Sequence, residues 1–118
     1  MNTHEKINYV ELPSNNLIES KRFFKQVFDW SFQDYGPEYT AFENQGIDGG
    51  FFKADLHSST SNGAALIIFY SQDLDATQIK IEHAGGTIIK PVYSFPGGRR
   101  FHFTEPGGNE FAVWSDKS

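Results

Sequence analysis

Apolar positions along the chain recur with two periods, and the points where one gives way to the other divide it into elements. Residues 6–12 alternate, with Ile7, Tyr9 and Glu11 on one face and Asn8, Val10 and Leu12 on the other, the pattern of a half-buried strand. Pro13 stops that strand, and Ser14, Asn15 and Asn16 offer helix caps. Leu17, Ser20, Phe24, Val27 and Phe28 then recur at helical spacing, which predicts a helix over 17–28. Short strands are predicted over 30–35, 39–43 and 47–52, separated by Gly36-Pro37 and by Asn44-Gln45-Gly46.

The stretch KADLHSSTSNG is polar and reads as a surface connection, after which the pattern starts again. An apolar strand is expected over 64–70. Asp73 is a cap, and Leu74, Ile79, Ile81 and Ala84 mark a helix that Gly85-Gly86 ends. Three further strands are expected over 87–93, 99–104 and 109–114. Each half therefore reads β-α-β-β-β, and the two caps, Asn16 and Asp73, stand about half a chain apart. The expectation is one α+β domain, residues 1–118, made of two βαβββ modules over about 5–53 and 64–116. A polar loop, 54–63, joins them, and their curved mixed sheets enclose a cavity.

Composition narrows what that cavity can serve. Twelve Phe, five Tyr and two Trp in 118 residues supply both core and potential pocket lining. A net charge of -5 offers no basic stripe, which argues against nucleic acid and against an acidic membrane surface as partners. The chain has no cysteine, so disulfides, thiolate metal ligands and a cysteine nucleophile are excluded together. The opening residues, MNTHEKINYVEL, have no apolar run of signal-peptide length, and no segment reaches the ~20 apolar residues of a membrane span. A cytoplasmic protein is expected.

Three stretches together resemble the vicinal oxygen chelate superfamily, which includes glyoxalase I, bleomycin resistance proteins and extradiol dioxygenases. They are INYVELPSNNLIESKRFFKQVFDW, the helix ending HAGG, and the strand pair RRFHFTEPGGNEFAVW, whose EPGGNEF turn is similar to the superfamily's closing signature. The resemblance covers essentially the whole chain and implies the glyoxalase-like fold and a homodimer. It also implies up to four metal ligands, on the first and last strand of each module. Carried onto this sequence, those positions fall at Tyr9, Gly50, Leu66 and Ala112, and Leu, Gly and Ala offer no side-chain donor. No metal or other cofactor is therefore expected. The alternative is a displaced, oxygen-rich divalent site from Glu11, Asp48 and Glu110.

Alternation along the last strand puts Phe111 and Val113 under the helices and Glu110, Ala112 and Trp114 on the cavity side. The preceding strand groups Arg100, His102 and Thr104, and closing the hairpin brings His102 opposite Ala112. His102, Glu11 and Glu110 are the candidates for acid or base chemistry, with Arg100 a possible partner of Glu11. Tyr9, Phe52, Tyr70, Arg100 and Trp114 are the candidates for ligand binding, the aromatic four forming one pocket. Gly97-Gly98 within SFPGGRR is a possible hinge for a loop that closes over an anion. The function expected is metal-free binding of a small organic molecule. The alternatives are a metal-dependent isomerase or lyase resembling glyoxalase I, and a non-catalytic interaction or regulatory module.

Overall fold

The computed structural model describes residues 2–117. The first half supplies β1 (Tyr9–Ser14), α1 (Leu17–Phe28), β2 (Phe32–Asp34), β3 (Tyr39–Phe42) and β4 (Asp48–Lys53). The second supplies β5 (Ile67–Tyr70), α2 (Leu74–His83), β6 (Thr87–Phe95), β7 (Gly98–Thr104) and β8 (Glu110–Ser115). Each half forms one four-stranded sheet, in the orders β1-β4-β3-β2 and β5-β8-β7-β6. In both sheets the first strand pairs parallel with the last, and the remaining pairs are antiparallel.

The repeat extends to the caps. Asn16 accepts a hydrogen bond from the Glu19 amide and Asp73 one from the Ala76 amide, each at 3.1 Å. Two residues earlier in each case a serine hydroxyl, Ser14 or Ser71, accepts from the cap's own amide. That serine also pairs at 2.7 Å with the hydroxyl one turn into the helix, Ser20 or Thr77. Each helix therefore begins with its free amides satisfied by short polar side chains that compete poorly for helix interior positions.

Helix α1 is the centre of the core. Phe23 and Phe24 are fully buried, and Phe24 meets rings of both sheets: Phe51 at 5.5 Å, Phe111 at 5.3 Å and Phe69 at 6.5 Å between centroids. Phe23 adds Phe103 at 5.8 Å. Trp30 stacks on Phe24 at 4.5 Å, and the strand expected over 30–35 is confined to Phe32–Asp34. Burying each such ring contributes about 1.5–3 kcal/mol. With the inner faces committed to this core, alternation turns Tyr9, Glu11 and Phe52 outward on the first sheet. On the second it turns Tyr70, His102 and Trp114 outward.

The strand expected over 64–70 begins only at Ile67, where its ladder with Phe111 starts. The possible lid over 94–100 is instead a tight hairpin, because β6 runs to Phe95 and β7 starts at Gly98. Only Pro96 and Gly97 lie between the strands, too few for a closing loop.

The turn after β7 binds the modules together. Glu105 is buried and accepts hydrogen bonds from Ser20 Oγ (2.7 Å), the Gly107 amide (2.6 Å), and the amide and side chain of Asn109. Asn109 Nδ2 also donates to the Pro13 carbonyl at 2.6 Å. Burial pushes the Glu105 carboxyl above its ordinary range, outweighing the donors that pull it down. Gly107 is required here because a Cβ would overlap the Ser20 hydroxyl. Glu105→Ala leaves these donors without an acceptor and is expected to lower the unfolding free energy by about 3 kcal/mol. An unchanged urea midpoint contradicts this.

Candidate functional site

The polar centre of the molecule lies on the outer face of the second sheet, where the β7–β8 hairpin sets His102 across from Ala112 and Thr104 across from Glu110. His102 Nδ1 and Glu110 Oε2 are 2.7 Å apart, and the two residues are only 5% and 6% exposed. The other carboxylate oxygen of Glu110 accepts from the amide and hydroxyl of Thr60 at 2.8 and 2.9 Å. Thr60 opens a short 3-10 turn, Thr60–Asn62, within the connecting loop. Burial alone would raise the Glu110 carboxyl, but the hydrogen bonds from His102 and Thr60 prevail and hold it below the usual carboxylate range.

The far nitrogen of the imidazole defines the tautomer. Arg100 Nη2 lies 3.2 Å from His102 Nε2, and a guanidinium nitrogen has no lone pair to offer, so Nε2 accepts. The proton therefore sits on Nδ1 and is donated to Glu110. Tyr93 Oη is 3.1 Å from the same Nε2 and itself accepts from Arg100 Nε. The result is a connected set, Arg100–Tyr93–His102–Glu110–Thr60, whose His102–Glu110–Thr60 end lines a cleft of about 540 Å³ together with His57, Lys90 and Thr104. An imidazole oriented by a carboxylate can accept or donate a proton through Nε2.

The first sheet carries a different group. Tyr39 Oη donates to Glu11 Oε2 at 2.9 Å and shares a 2.5 Å hydrogen bond with Tyr9 Oη. Burial, then the Tyr9 and Glu11 partners, push the Tyr39 hydroxyl far above its ordinary value. The possible Glu11–Arg100 pair is not made. Glu11 meets Tyr39 on one sheet, whereas Arg100 is held by Tyr93 and His102 on the other.

The four aromatics expected to form one pocket are divided between the sheets. Tyr9 and Phe52 belong to the first sheet, and Tyr70 and Trp114, 5.2 Å apart, to the second. The cavity that Tyr70 lines takes Val10 and Leu12 from β1 rather than Tyr9 and includes neither Phe52 nor Trp114, so these four aromatics do not share that pocket. Tyr9 is 43% and Tyr70 51% exposed.

The four positions that the superfamily uses for metal do not present a donor set. A Cβ at Gly50 would overlap the Tyr39 hydroxyl, whose ring covers that place on the sheet. Tyr9 is engaged with Tyr39, and Leu66 and Ala112 carry no donor. The displaced carboxylate set is not assembled either: Asp48 caps the Asn44 amide, Glu11 meets Tyr39 and Glu110 meets His102. Among the described residues no group of three or more His, Cys, Asp or Glu is placed to hold a metal ion.

Sequence reasoning passed over Tyr93, Lys90 and Thr60. Thr60 lies in a loop without periodicity. Lys90 and Tyr93 are separated by irregularities in the β6–β7 ladder, so simple alternation does not place them on the same face as His102. Because its carboxyl is held below the ordinary 4.5, Glu110 stabilises the fold above that value, and this contribution is lost as pH falls through the lowered one. Glu110→Gln is expected to cost about 1–2 kcal/mol at neutral pH, with the gap to the parent closing on acidification. A gap that stays constant from neutral to acid pH contradicts this.

With this geometry in view, comparison with known proteins supplies the family. No curated protein matches the chain in sequence. Among solved structures, the fosfomycin resistance protein FosX from Listeria monocytogenes superposes with a TM-score of 0.77 at 17% identity, covering 96% of this chain and 94% of that one. TnmS3, an antibiotic binding protein from Streptomyces sp., gives 0.67 at 15% identity, covering 98% of each chain. Lactoylglutathione lyase from Agrobacterium tumefaciens gives 0.70 at 18% identity, covering 96% of this chain and 95% of that one. At such identities these likenesses speak for the fold. The family model for the Glyoxalase/Bleomycin resistance protein/Dioxygenase superfamily matches residues 6–113, and the chain belongs to that superfamily.

Proposed function

We propose that this protein binds a small organic molecule on the outer face of its second sheet, around the His102–Glu110 pair, and does so without a divalent metal at the superfamily's usual positions. The observation that carries the reading is the hydrogen-bonded set Arg100–Tyr93–His102–Glu110 beside an open cleft, where the superfamily position on β8 is an alanine. A concave site with polar groups held at fixed positions is where small ligands are usually oriented. TnmS3, of the same fold, is described as antibiotic binding.

A homodimer is part of this reading. Tyr9, Ile68 and Tyr70 are exposed on the outer faces, and a second copy that covered them would turn two open half-sites into enclosed ones. No helix among the described residues is long and apolar enough to cross a membrane. A cytoplasmic location is kept as an expectation on the sequence grounds given above.

A metal-dependent isomerase or lyase is the second reading, favoured by one observation: FosX of the same fold has been seen with Mn(II) and a dihydroxypropylphosphonic acid. The covering of Gly50 by Tyr39 counts against it here. An interaction module with no ligand predicts cavities filled by the chain's own aromatics. Against that stand the cleft beside His102 and a second cavity of about 460 Å³ lined by Val10, Leu12, Trp30, Phe42, Ile67 and Phe69, among others.

Elemental analysis of purified protein, with thermal unfolding in Ni(II), Zn(II), Mn(II) and Fe(II), tests the metal-free reading. Substoichiometric metal is expected, with Tm unchanged within about 1 °C. Stoichiometric metal that is lost on Glu11→Ala or Glu110→Ala contradicts it.

A further inference from the structure

We infer that the ligand of this face carries an oxyanion, held by Arg100 with Lys90 beside it, and a flat apolar body lying along Phe95 and Trp114. The inference rests on the small-molecule reading above and names the chemical class that the site selects.

The protein carries a net charge of -5, yet the face around His102 holds two cations, Arg100 and Lys90, that no carboxylate among the described residues pairs with. Arg100 is half-buried, and its Nε and Nη2 are committed to Tyr93 and His102. Nη1 has no hydrogen-bond partner among the described residues and is not fully buried, so its two N–H groups are available to a ligand. The ion pairs among the described residues are His4–Glu5, Lys21–Asp34, Arg22–Glu19 and His102–Glu110, and neither Arg100 nor Lys90 takes part in one.

Glu110, the acid closest to hand in this network, is already saturated. One oxygen faces His102 and the other receives two donors from Thr60. It holds the imidazole in place and leaves Arg100 without a counterion.

Geometry then brings the second cation in. Lys90 Nζ sits 4.7 Å and Arg100 Cζ 5.6 Å from the centroid of the same Tyr93 ring. The ring's π-face attracts both, but it does not cancel the repulsion between two positive charges brought to one side chain. A bound oxyanion removes that repulsion, and the guanidinium's remaining edge suits a carboxylate or a phosphonate. The apolar part of the ligand has its surface in the same place. Arg100 also lies 5.9 Å from the Phe95 ring, Phe95 is 6.2 Å from Trp114, and Arg100 is the ladder partner of Trp114.

Isothermal titration of the full chain with three probes of one shape tests this: benzoate, phenylphosphonate and neutral benzamide. At least one of the two anions is expected to bind about ten-fold or more tightly than benzamide. That preference is expected to shrink as salt rises from about 20 to about 300 mM. Which anion wins distinguishes a carboxylate from a phosphonate or phosphate ligand. Arg100→Gln is expected to abolish the preference, and Arg100→Lys to keep part of it. Lys90→Gln, at an exposed position, is expected to weaken both anions several-fold and to affect benzamide less than either. Equal affinity for anions and benzamide, or a preference that survives both Arg100→Gln and Lys90→Gln, overturns the oxyanion assignment and leaves the small-molecule reading standing. Binding of none of the three probes overturns both.

Discussion

One helix between two sheets is the constraint from which the remaining features follow. Phe23 and Phe24 of α1 reach rings from both sheets, so the inner faces share a single aromatic core rather than each enclosing its own. A sheet with one face committed in this way must display its alternate residues on the other. The polar and titratable groups of the chain are therefore sorted outward without any further instruction. The Glu105 turn secures the arrangement by tying the end of β7 to the start of α1 and to the end of β1.

On the second sheet the outward residues satisfy one another in series. Thr60 orients Glu110, Glu110 orients His102, and His102 with Tyr93 fixes two of the three guanidinium nitrogens of Arg100. A nearly inaccessible carboxylate and imidazole are tolerated because each hydrogen-bonds the other, and the chain of partners holds every side chain to one orientation. The first sheet has no equivalent: its carboxylate, Glu11, is met by a phenol, and that phenol occupies the space above Gly50. The two modules repeat one topology but have diverged in chemistry, one face ending in tyrosines and the other in a cationic network.

The repeat was legible in the sequence because the short polar caps that start each helix are local. Ser14, Asn16 and Ser20 are mirrored by Ser71, Asp73 and Thr77, and no distant contact is needed to interpret them. The β7–β8 hairpin was legible for the same reason, since counting outward from the turn gives the His102–Ala112 pairing that the ladder has. Relations between elements distant in sequence were not legible. Alternation places Glu11 and Arg100 on outward faces but says nothing about which sheets those faces belong to in space, and the two residues end up with separate partners. The irregular β6 ladder hid Lys90 and Tyr93, and the aperiodic loop hid Thr60. The two glycines read as a hinge proved to belong to a tight hairpin, where Gly98 packs against the Ser115 carbonyl too closely for any side chain.

The proposed function requires a His102 that Glu110 orients through Nδ1 and that binds no metal. The most direct measurement is a long-range proton–nitrogen correlation spectrum of histidine-labelled protein at neutral pH, recorded after chelator treatment and again with stoichiometric Zn(II). A His102 ring protonated at Nδ1 and bare at Nε2 is expected, with the same nitrogen shifts in both spectra. A His102 nitrogen that moves to a metal-bound shift with Zn(II), or a proton found on Nε2 in place of Nδ1, contradicts it.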